Sequence, residues 1–340
     1  MKKVLIITHS SDNECINVVS DKLRKLNAEP IRFNVDEYPV HYSLSSCYEN
    51  DRWNVYLDYK DNRVNLQDID ALWYRRSHNI ANGLRAIIEP EYLGGVLGEI
   101  RTTLFGMLEA CHCFNIGKYS QYRRFDSKEE QMKIASGLGL KVPETCITNS
   151  PEEAKRFVLA HPNGAIAKMQ SAFSIVREGV DNVVFTNVIT ENNLESIETL
   201  QYCPMQFQEK LEKALELRIT IVGDKVFSFA IDSQKMDNAK IDWRREGVAL
   251  LGDWVPYDLP KPIEEKLLKM MDVYQANYGA IDIIVTPEGE HYFLEINAAG
   301  EFFWLDRLCD GAISDQLTKV LVGDAFRRYT PVFAEEFVNI

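Results

Sequence analysis

The chain predicts an α/β protein of three units, and three observations carry that reading. Its first 35 residues run strand, polar loop, amphipathic helix, strand. Its length of 340 residues exceeds one ordinary domain. Near the C-terminus, two apolar runs around a turn, "GAIDIIV" and "YFLEIN", carry acids where a core strand is ordinarily apolar.

The elements follow in order. "KKVLIIT" is a strand, and Cys15, Val18, Val19, Leu23 and Leu26 then fall at helical spacing. "EPIRFNV" and "ALWYR" extend the same sheet, and a helix around "GEIRTTLFGMLEAC" closes a first α/β domain at residues 1–115. No G-x-G-x-x-G follows the first strand, so a dinucleotide site is not supported. A central domain spans 116–200. Asp126 or Ser127 caps its first helix, Gly139 and Pro143 break the chain, and Ser150-Pro151-Glu152 starts another helix with proline at its preferred position. Strands are expected at 164–170 and 182–188. The third domain, 201–340, holds "LELRITIVGDKVFSFAID", two strands on a Gly223-Asp224 turn, then the acidic hairpin and a last helix after Ser314.

Bulk properties exclude several classes. A net charge of −13 opposes nucleic-acid binding, which needs a basic stripe. No apolar run approaches the ~20 residues that span a bilayer. The N-terminal apolar stretch ends at Ile7, so a first strand is favoured over a signal peptide and a cytoplasmic location is expected. The seven cysteines are odd in number and scattered, which gives no disulfide framework. "CHC" at 111–113 lacks a second ligand pair at zinc spacing and reads as ordinary helix-end sequence.

A turn centred on Glu288-Gly289 sets Val285 opposite Tyr292 and Asp282 opposite Glu295. Opposed residues project from one side, with Cβ atoms ~5 Å apart. Asn297 shares the face of Glu295. Ile281, Ile283, Leu294 and Ile296 are then expected on the core side. Two adjacent carboxylates repel unless a cation lies between them. Few, hard oxygen ligands on a rigid hairpin suit Mg2+ completed by phosphates; a solvated acidic face or an arginine salt bridge is the alternative. On the metal reading, removing an acid relieves repulsion, so the metal-free protein should hold or gain stability.

Other residues fit an ATP site. Lys168 stands in a short apolar strand, where an ammonium can hold phosphate oxygens. Glu209, Lys210 and Leu211 follow Gln208 at a strand end that can offer backbone to an adenine edge. Arg218 begins an apolar strand, and "DWRREG" sets Arg244 and Arg245 in a loop; arginine forks suit phosphate or carboxylate.

In this order, Lys168, "FQEKL", "ELR", "DWR", "GAID" and "FLEIN" resemble the ATP-grasp ligases over roughly residues 120–310. "ALWYRR", "QYCPMQFQE", "ALELRITIVG", "YDLPK" and "EINAAGEFFW" extend the similarity over nearly the whole chain, to the microviridin-type peptide macrocyclases. The resemblance implies an ATP-grasp fold of three α/β domains with ATP between the second and third. It implies ATP and Mg2+ as cofactors and a ribosomally made precursor peptide with a helical leader as partner. Asp or Glu side chains are activated as acyl phosphates and joined to Lys as amides, the favoured outcome, or to Ser or Thr as esters. It places Mg2+ on Asp282, Glu295 and Asn297, and phosphates on Lys168. Glu209, Lys210 and Leu211 line the adenine pocket, with Glu216 near the nucleotide. Arg218 and Arg244 face the transferring phosphate and the substrate carboxylate. The lid loop "SAFSIVREG" has one glycine where many members are glycine-rich. Residues 177–200, with Asp181, Glu191, Glu195 and Glu198, are the candidate leader surface. A homodimer is left open. A small-molecule or protein-tail carboxylate–amine ligase is the alternative, and a nucleotide-binding regulator without catalysis is the second.

Overall fold

The computed structural model describes residues 1–171, 174–177, 180–235, 240–246 and 251–328. The N-terminal unit opens with β1 (Lys2–Thr8), α1 (Cys15–Lys25) and β2 (Ala28–Asn34). An antiparallel sheet follows, made of β3 (Tyr42–Glu49), β4 (Arg52–Tyr59) and β5 (Asn62–Asn65). Then come β6 (Ala71–Tyr74), α2 (Pro90–Glu109) and β7 (Phe114–Ile116). The main sheet, β2-β1-β6-β7, is parallel throughout. Val4 to Ile7 are buried on both faces, as parallel strands between covering layers must be. On α1, Cys15, Ile16, Val19 and Leu23 are buried, whereas Leu26 caps the helix and is exposed.

The central unit contains α3 (Tyr119–Phe125), α4 (Lys128–Gly137), β8 (Thr145–Thr148), α5 (Pro151–Ala160) and β9 (Ala165–Lys168). After these come β10 (Ser174–Arg177), β11 (Val180–Val183), β12 (Asn187–Ile189), α6 (Glu191–Glu195) and β13 (Met205–Glu209). Ser127 caps α4 by accepting the Glu130 N–H at 3.2 Å, and Ser150 caps α5 ahead of Pro151. The single strand expected at 182–188 is two strands in different sheets. β11 pairs with β10 as a hairpin, and β12 pairs with β9. The second sheet runs β12-β9-β13-β8, so it recruits β13 from the segment that sequence assigned to the third unit.

The C-terminal unit is a five-stranded antiparallel sheet with helices. It comprises β14 (Leu215–Val222), β15 (Lys225–Ile231), β16 (Val255–Pro256), α7 (Lys261–Tyr274), β17 (Tyr278–Val285), β18 (His291–Asn297), α8 (Phe303–Leu308) and α9 (Ala312–Val322). Its order is β16-β15-β14-β17-β18. The hairpin register differs from the expected one near the turn, where Val285 faces His291 rather than Tyr292. A bulge beside Asp282 then restores Asp282 opposite Glu295. The bulge also turns Leu294 to the cleft instead of the core, and Phe293 takes the core place.

One core joins the first and last units. Val4, Ile6 and Trp73 pack in the same cluster as Val222, Phe302, Leu317 and Leu321. The central sheet has only a small core of its own, centred on Ala154, Ala167 and Phe207. Sparse apolar contact makes this sheet the part freest to shift, whereas Phe125, Ala135 and Leu140 of the same unit pack with Leu217 and Ile281 of the C-terminal sheet. Among the described residues, no helix is long and apolar enough to cross a membrane.

Candidate active site

A cleft of about 1960 Å3 opens between the central sheet and the C-terminal sheet. Its floor follows from strand register. β14 pairs with β17 so that Arg218 lies opposite Asp282, and β17 pairs with β18 so that Asp282 lies opposite Glu295. Three neighbouring strands therefore present a cation and two carboxylates on one face, while Ile281, Ile283 and Ile296 fill the core behind.

Each acid has its own cation. Arg218 Nη1 donates to both oxygens of Asp282, at 2.8 and 2.9 Å, and Nη2 donates to the Glu301 carbonyl at 3.1 Å. Lys128 Nζ donates to Glu295 Oε2 at 2.8 Å, and Asn297 Nδ2 donates to Oε1 at 3.0 Å. Burial raises the pKa of Asp282 in spite of Arg218, and the neighbouring Glu295 raises it further. Burial acts the same way on Glu295, but Lys128 and then Lys168 outweigh it and hold that carboxyl well below the ordinary range. The pair is thus split electrostatically, one acid strongly ionised and the other reluctant. Partial truth lies in the arginine-bridge alternative, since Arg218 does clamp Asp282.

This pairing corrects one expectation. Asp282 and Glu295 do not simply repel each other, so deleting either strands a cation, Arg218 or Lys128, each no more than 8% exposed. The stability of the metal-free protein should fall, not hold or rise.

The other expected residues gather around this floor. Lys168 ends β9 and lines the cleft, its pKa lowered by burial and partly restored by Glu295. Glu209, Lys210 and Leu211 leave the end of β13 along the same wall. The Glu209 carboxylate accepts the Glu144 N–H at 2.9 Å, and the Glu209 and Lys210 N–H groups donate to the Glu144 and Gly164 carbonyls, each at 3.0 Å. Glu216 takes bonds from Lys213 Nζ at 2.9 Å and Ser233 Oγ at 2.6 Å, and burial raises its pKa. Arg244 reaches the rim in a tight fork on Asp242. The proposed leader acids are elsewhere. Glu195 and Glu198 are exposed, and Glu198 is shared with Lys155 at 2.7 Å. The side chains of Asp181 and Glu191 lie outside the described residues, as do 172–173 and 178–179 of the lid loop.

Sequence reasoning missed Lys128, Asp242 and Glu301. Lys128 had a legible signal, because a lysine in the first turn of a helix opposes the helix dipole and calls for another partner. Glu301 ties the floor to the N-terminal unit. Its carboxylate accepts from Arg75, Arg76 and Asn13, and its other oxygen accepts the N–H groups of Phe302 and Phe303. Burial would raise its pKa, but Arg75 first among its partners lowers it to about 2.

The donor set fits a magnesium ion. Two carboxylates and an amide converge as hard oxygen ligands, too few to complete a shell without added phosphate oxygens. Among the described residues there is no cluster of three or more His, Cys, Asp and Glu able to hold a metal alone. Cys111 and Cys113 are buried thiols that burial pushes up to about 12, and all seven cysteines are free.

Gly300 presses on this floor. A Cβ there would lie 2.3 Å from Ala280 Cβ and 2.7 Å from Arg218 Nη2. Gly300→Ala is expected to displace Arg218 and cut turnover by roughly tenfold or more, because an ångström-scale misplacement of a catalytic group is costly. ADP affinity should change little, and calorimetry beside steady-state kinetics checks the split.

The chain is similar to known proteins along nearly its whole length. Residues 3–123 match the family described as the MvdD pre-ATP grasp domain. A RiPP-associated ATP-grasp ligase of Chryseobacterium gregarium, solved with ADP and a leader and core peptide, is 50% identical. That match covers 98% of this chain and 100% of the other, with a TM-score of 0.94. The macrocyclase MdnC of Microcystis aeruginosa MRC, solved with the precursor peptide MdnA, is 35% identical over 94% of this chain and 99% of its own, with a TM-score of 0.85. Macrocyclase MdnB from the same organism is 28% identical, over 95% and 99%, with a TM-score of 0.80. No curated protein matches the chain. Half of all positions shared along the full length of a solved relative, together with the fold and the paired-acid floor, makes this chain a member of the RiPP-associated ATP-grasp ligase family.

Proposed function

We propose that this ligase uses ATP and Mg2+ to close rings in a ribosomally made precursor peptide in the cytoplasm. The observation that carries the reading is the floor itself: Asp282 and Glu295 on one face, with Arg218, Lys128 and Lys168 around them. Solved relatives at 50% and 35% identity hold leader, core or precursor peptides, which supports a peptide as substrate.

Asp282, Glu295 and Asn297 would hold the magnesium ion, which when bound neutralises charge on the phosphates. Lys128 and Lys168 hold phosphate oxygens as point charges. Backbone of Glu209 to Leu211 meets the adenine edge, with Ile166, Ile284 and Leu294 as apolar walls, and Glu216 stays near the nucleotide. Arg218 and Arg244 face the transferring phosphoryl group and the peptide carboxylate and hold the two in line. A carboxylate oxygen forms a bond to phosphorus as the bond to ADP breaks, giving an acyl phosphate. An amine of the same peptide then attacks the acyl carbon. The C–N bond forms, the bond to phosphate breaks, and the amine proton leaves to solvent. Catalysis is mostly positioning and electrostatics. Among the described residues no side chain in the cleft is an evident general base; an amine can lose its proton late and a hydroxyl needs more help, so a Lys acceptor and an amide are favoured over a Ser or Thr hydroxyl and an ester. The leader enters as a helix on residues 177–200, where Glu195 and Glu198 are exposed.

Mass spectrometry of a candidate precursor incubated with Mg2+ and ATP tests the reading. Loss of one water per ring, dependent on ATP, is expected. An unmodified precursor, with ADP formed instead in the presence of glutamate or free amino acids, would favour a small-molecule ligase.

A further inference from the structure

We infer that Asp242 is the positioning residue for Arg244, and that it holds Arg244 in place only while a clasp across the cleft is closed. The inference rests on the proposed role of Arg244 at the transferring phosphoryl group.

Arg244 has an aiming problem. It lies in a short 3-10 turn, Trp243–Glu246, and its side chain is 59% exposed. A long arginine in that setting samples many rotamers. Asp242, only 5% exposed, removes that freedom. Its Oδ1 accepts from Arg244 Nε at 2.8 Å and from the Arg244 backbone N–H at 3.2 Å, and its Oδ2 accepts from Nη2 at 2.6 Å. Two parallel bonds to one carboxylate fix the plane of the guanidinium as well as its position.

The same carboxylate has a partner on the opposite side of the cleft. Oδ2 also accepts the N–H of Thr186 at 3.2 Å. Thr186 lies between β11 and β12, in the central unit. Arg245, next in the turn, makes the return contacts. Its Nη2 donates to the Thr186 carbonyl at 2.9 Å and to Asn187 Oδ1 at 2.7 Å, and its guanidinium lies 5.5 Å from the centre of the Phe185 ring. Thr186 is thus gripped by both its N–H and its C=O. On its own side the turn is tethered by Lys213 Nζ to the Ile241 carbonyl at 2.9 Å and by Gln234 Nε2 to the Lys240 carbonyl at 3.2 Å.

The central sheet has the small core, so in this proposal it is the part that moves. When it swings away, Asp242 loses the Thr186 N–H and Arg245 loses both acceptors. The turn that carries Arg244 then loses its second anchor. Thr186 stands between the β10–β11 hairpin and α6 in the chain, inside the segment proposed for the leader. Leader docking on 177–200 and the setting of Arg244 would therefore bias one two-state element, which is what coupling between two sites requires.

A mutant cycle tests the positioning. Ring closure by the wild type, Asp242→Asn, Arg244→Ala and the double variant is followed at saturating Mg2+, ATP and precursor. Asparagine keeps the shape but sets a donor against Arg244 Nη2 and the Thr186 N–H. A fall in kcat of roughly 100-fold is expected, the scale for one misaimed donor, with ADP affinity unchanged. In the Arg244→Ala background the same change should cost nothing more, because Asp242 acts through Arg244. Losses that multiply independently would overturn the assignment. The clasp is read without peptide, from the Arg244 Nε–H resonance in nitrogen-15 NMR. It should resist solvent exchange in the wild type and lose that protection in Asp242→Asn and also in Arg245→Ala, which leaves the bonds of Arg244 itself intact. Equal protection in Arg245→Ala and wild type overturns the clasp. Full turnover by Arg244→Ala would instead sink the role given to Arg244 above, and the NMR comparison would still decide the clasp.

Discussion

Replacing Asp282 or Glu295 by alanine is expected to lower ring closure by roughly a thousandfold or more, the upper end for losing one preorganised electrostatic group. Both carboxylates project from one face of β17 and β18, and in the proposed role each would supply oxygen ligands to the metal. The two variants should differ in stability. Asp282→Ala leaves Arg218 buried with, among the described residues, the Glu301 carbonyl as its remaining acceptor, an expected loss of about 3 kcal/mol for breaking such a pair. Glu295→Ala strands Lys128, whose flexible stem can swing toward the cleft, so its loss should be smaller. Thermal unfolding measures the difference. Calorimetric titration of ADP with and without Mg2+ measures the ligand role, since the magnesium dependence of ADP affinity should vanish in both. Near-wild-type turnover at ordinary Mg2+ would end the metal assignment.

Arg218→Ala is expected to cut turnover far more than ATP affinity. An arginine aimed at a transferring phosphate acts mainly in the transition state, where one donor contributes roughly 3–4 kcal/mol. The structure adds a signature in pH. Arg218 is the strongest influence lowering the pKa of Asp282, against burial and Glu295, which raise it. Without the arginine that carboxyl titrates higher still. A metal ligand must be ionised, so the residual activity of Arg218→Ala should rise with pH over a range where the wild type is already flat. A pH–rate profile at saturating substrates checks this. If ATP binding collapsed while turnover per bound complex stayed constant, Arg218 would be a nucleotide-holding residue only.

Much of this protein was legible in its sequence, because the determinants were local. Ser127 and Ser150 announce helix starts through bonds to residues three positions on. The alternation in "AIDIIV" and "FLEIN" puts acids on one face and Ile281, Ile283 and Ile296 on the other, as a period of two requires. The bulge beside Asp282 escaped, along with the inward turn of Phe293, since nothing in the spacing marks an extra residue. The sheet β3-β4-β5 escaped too. Strands such as "YSLSSCYE" are polar and half exposed, so they show little hydrophobic periodicity.

What tertiary structure alone decided is how charges are shared. Lys128 and Glu295 stand 167 positions apart, Arg218 and Asp282 are 64 apart, and Asp242 meets Thr186 from 56 away. Spacing within an element fixes which way a side chain points. It does not fix which oppositely charged group arrives from another unit. That depends on the packing of whole elements, set here by one core shared between the first and last units and a second that joins Phe125 and Ala135 of the central unit to Leu217 and Ile281. The sequence by itself therefore determined the face on which Asp282, Glu295 and Asn297 stand. Only the folded chain decided that each acid has its own cation, because a long-range ion pair is a property of the packing and not of either strand.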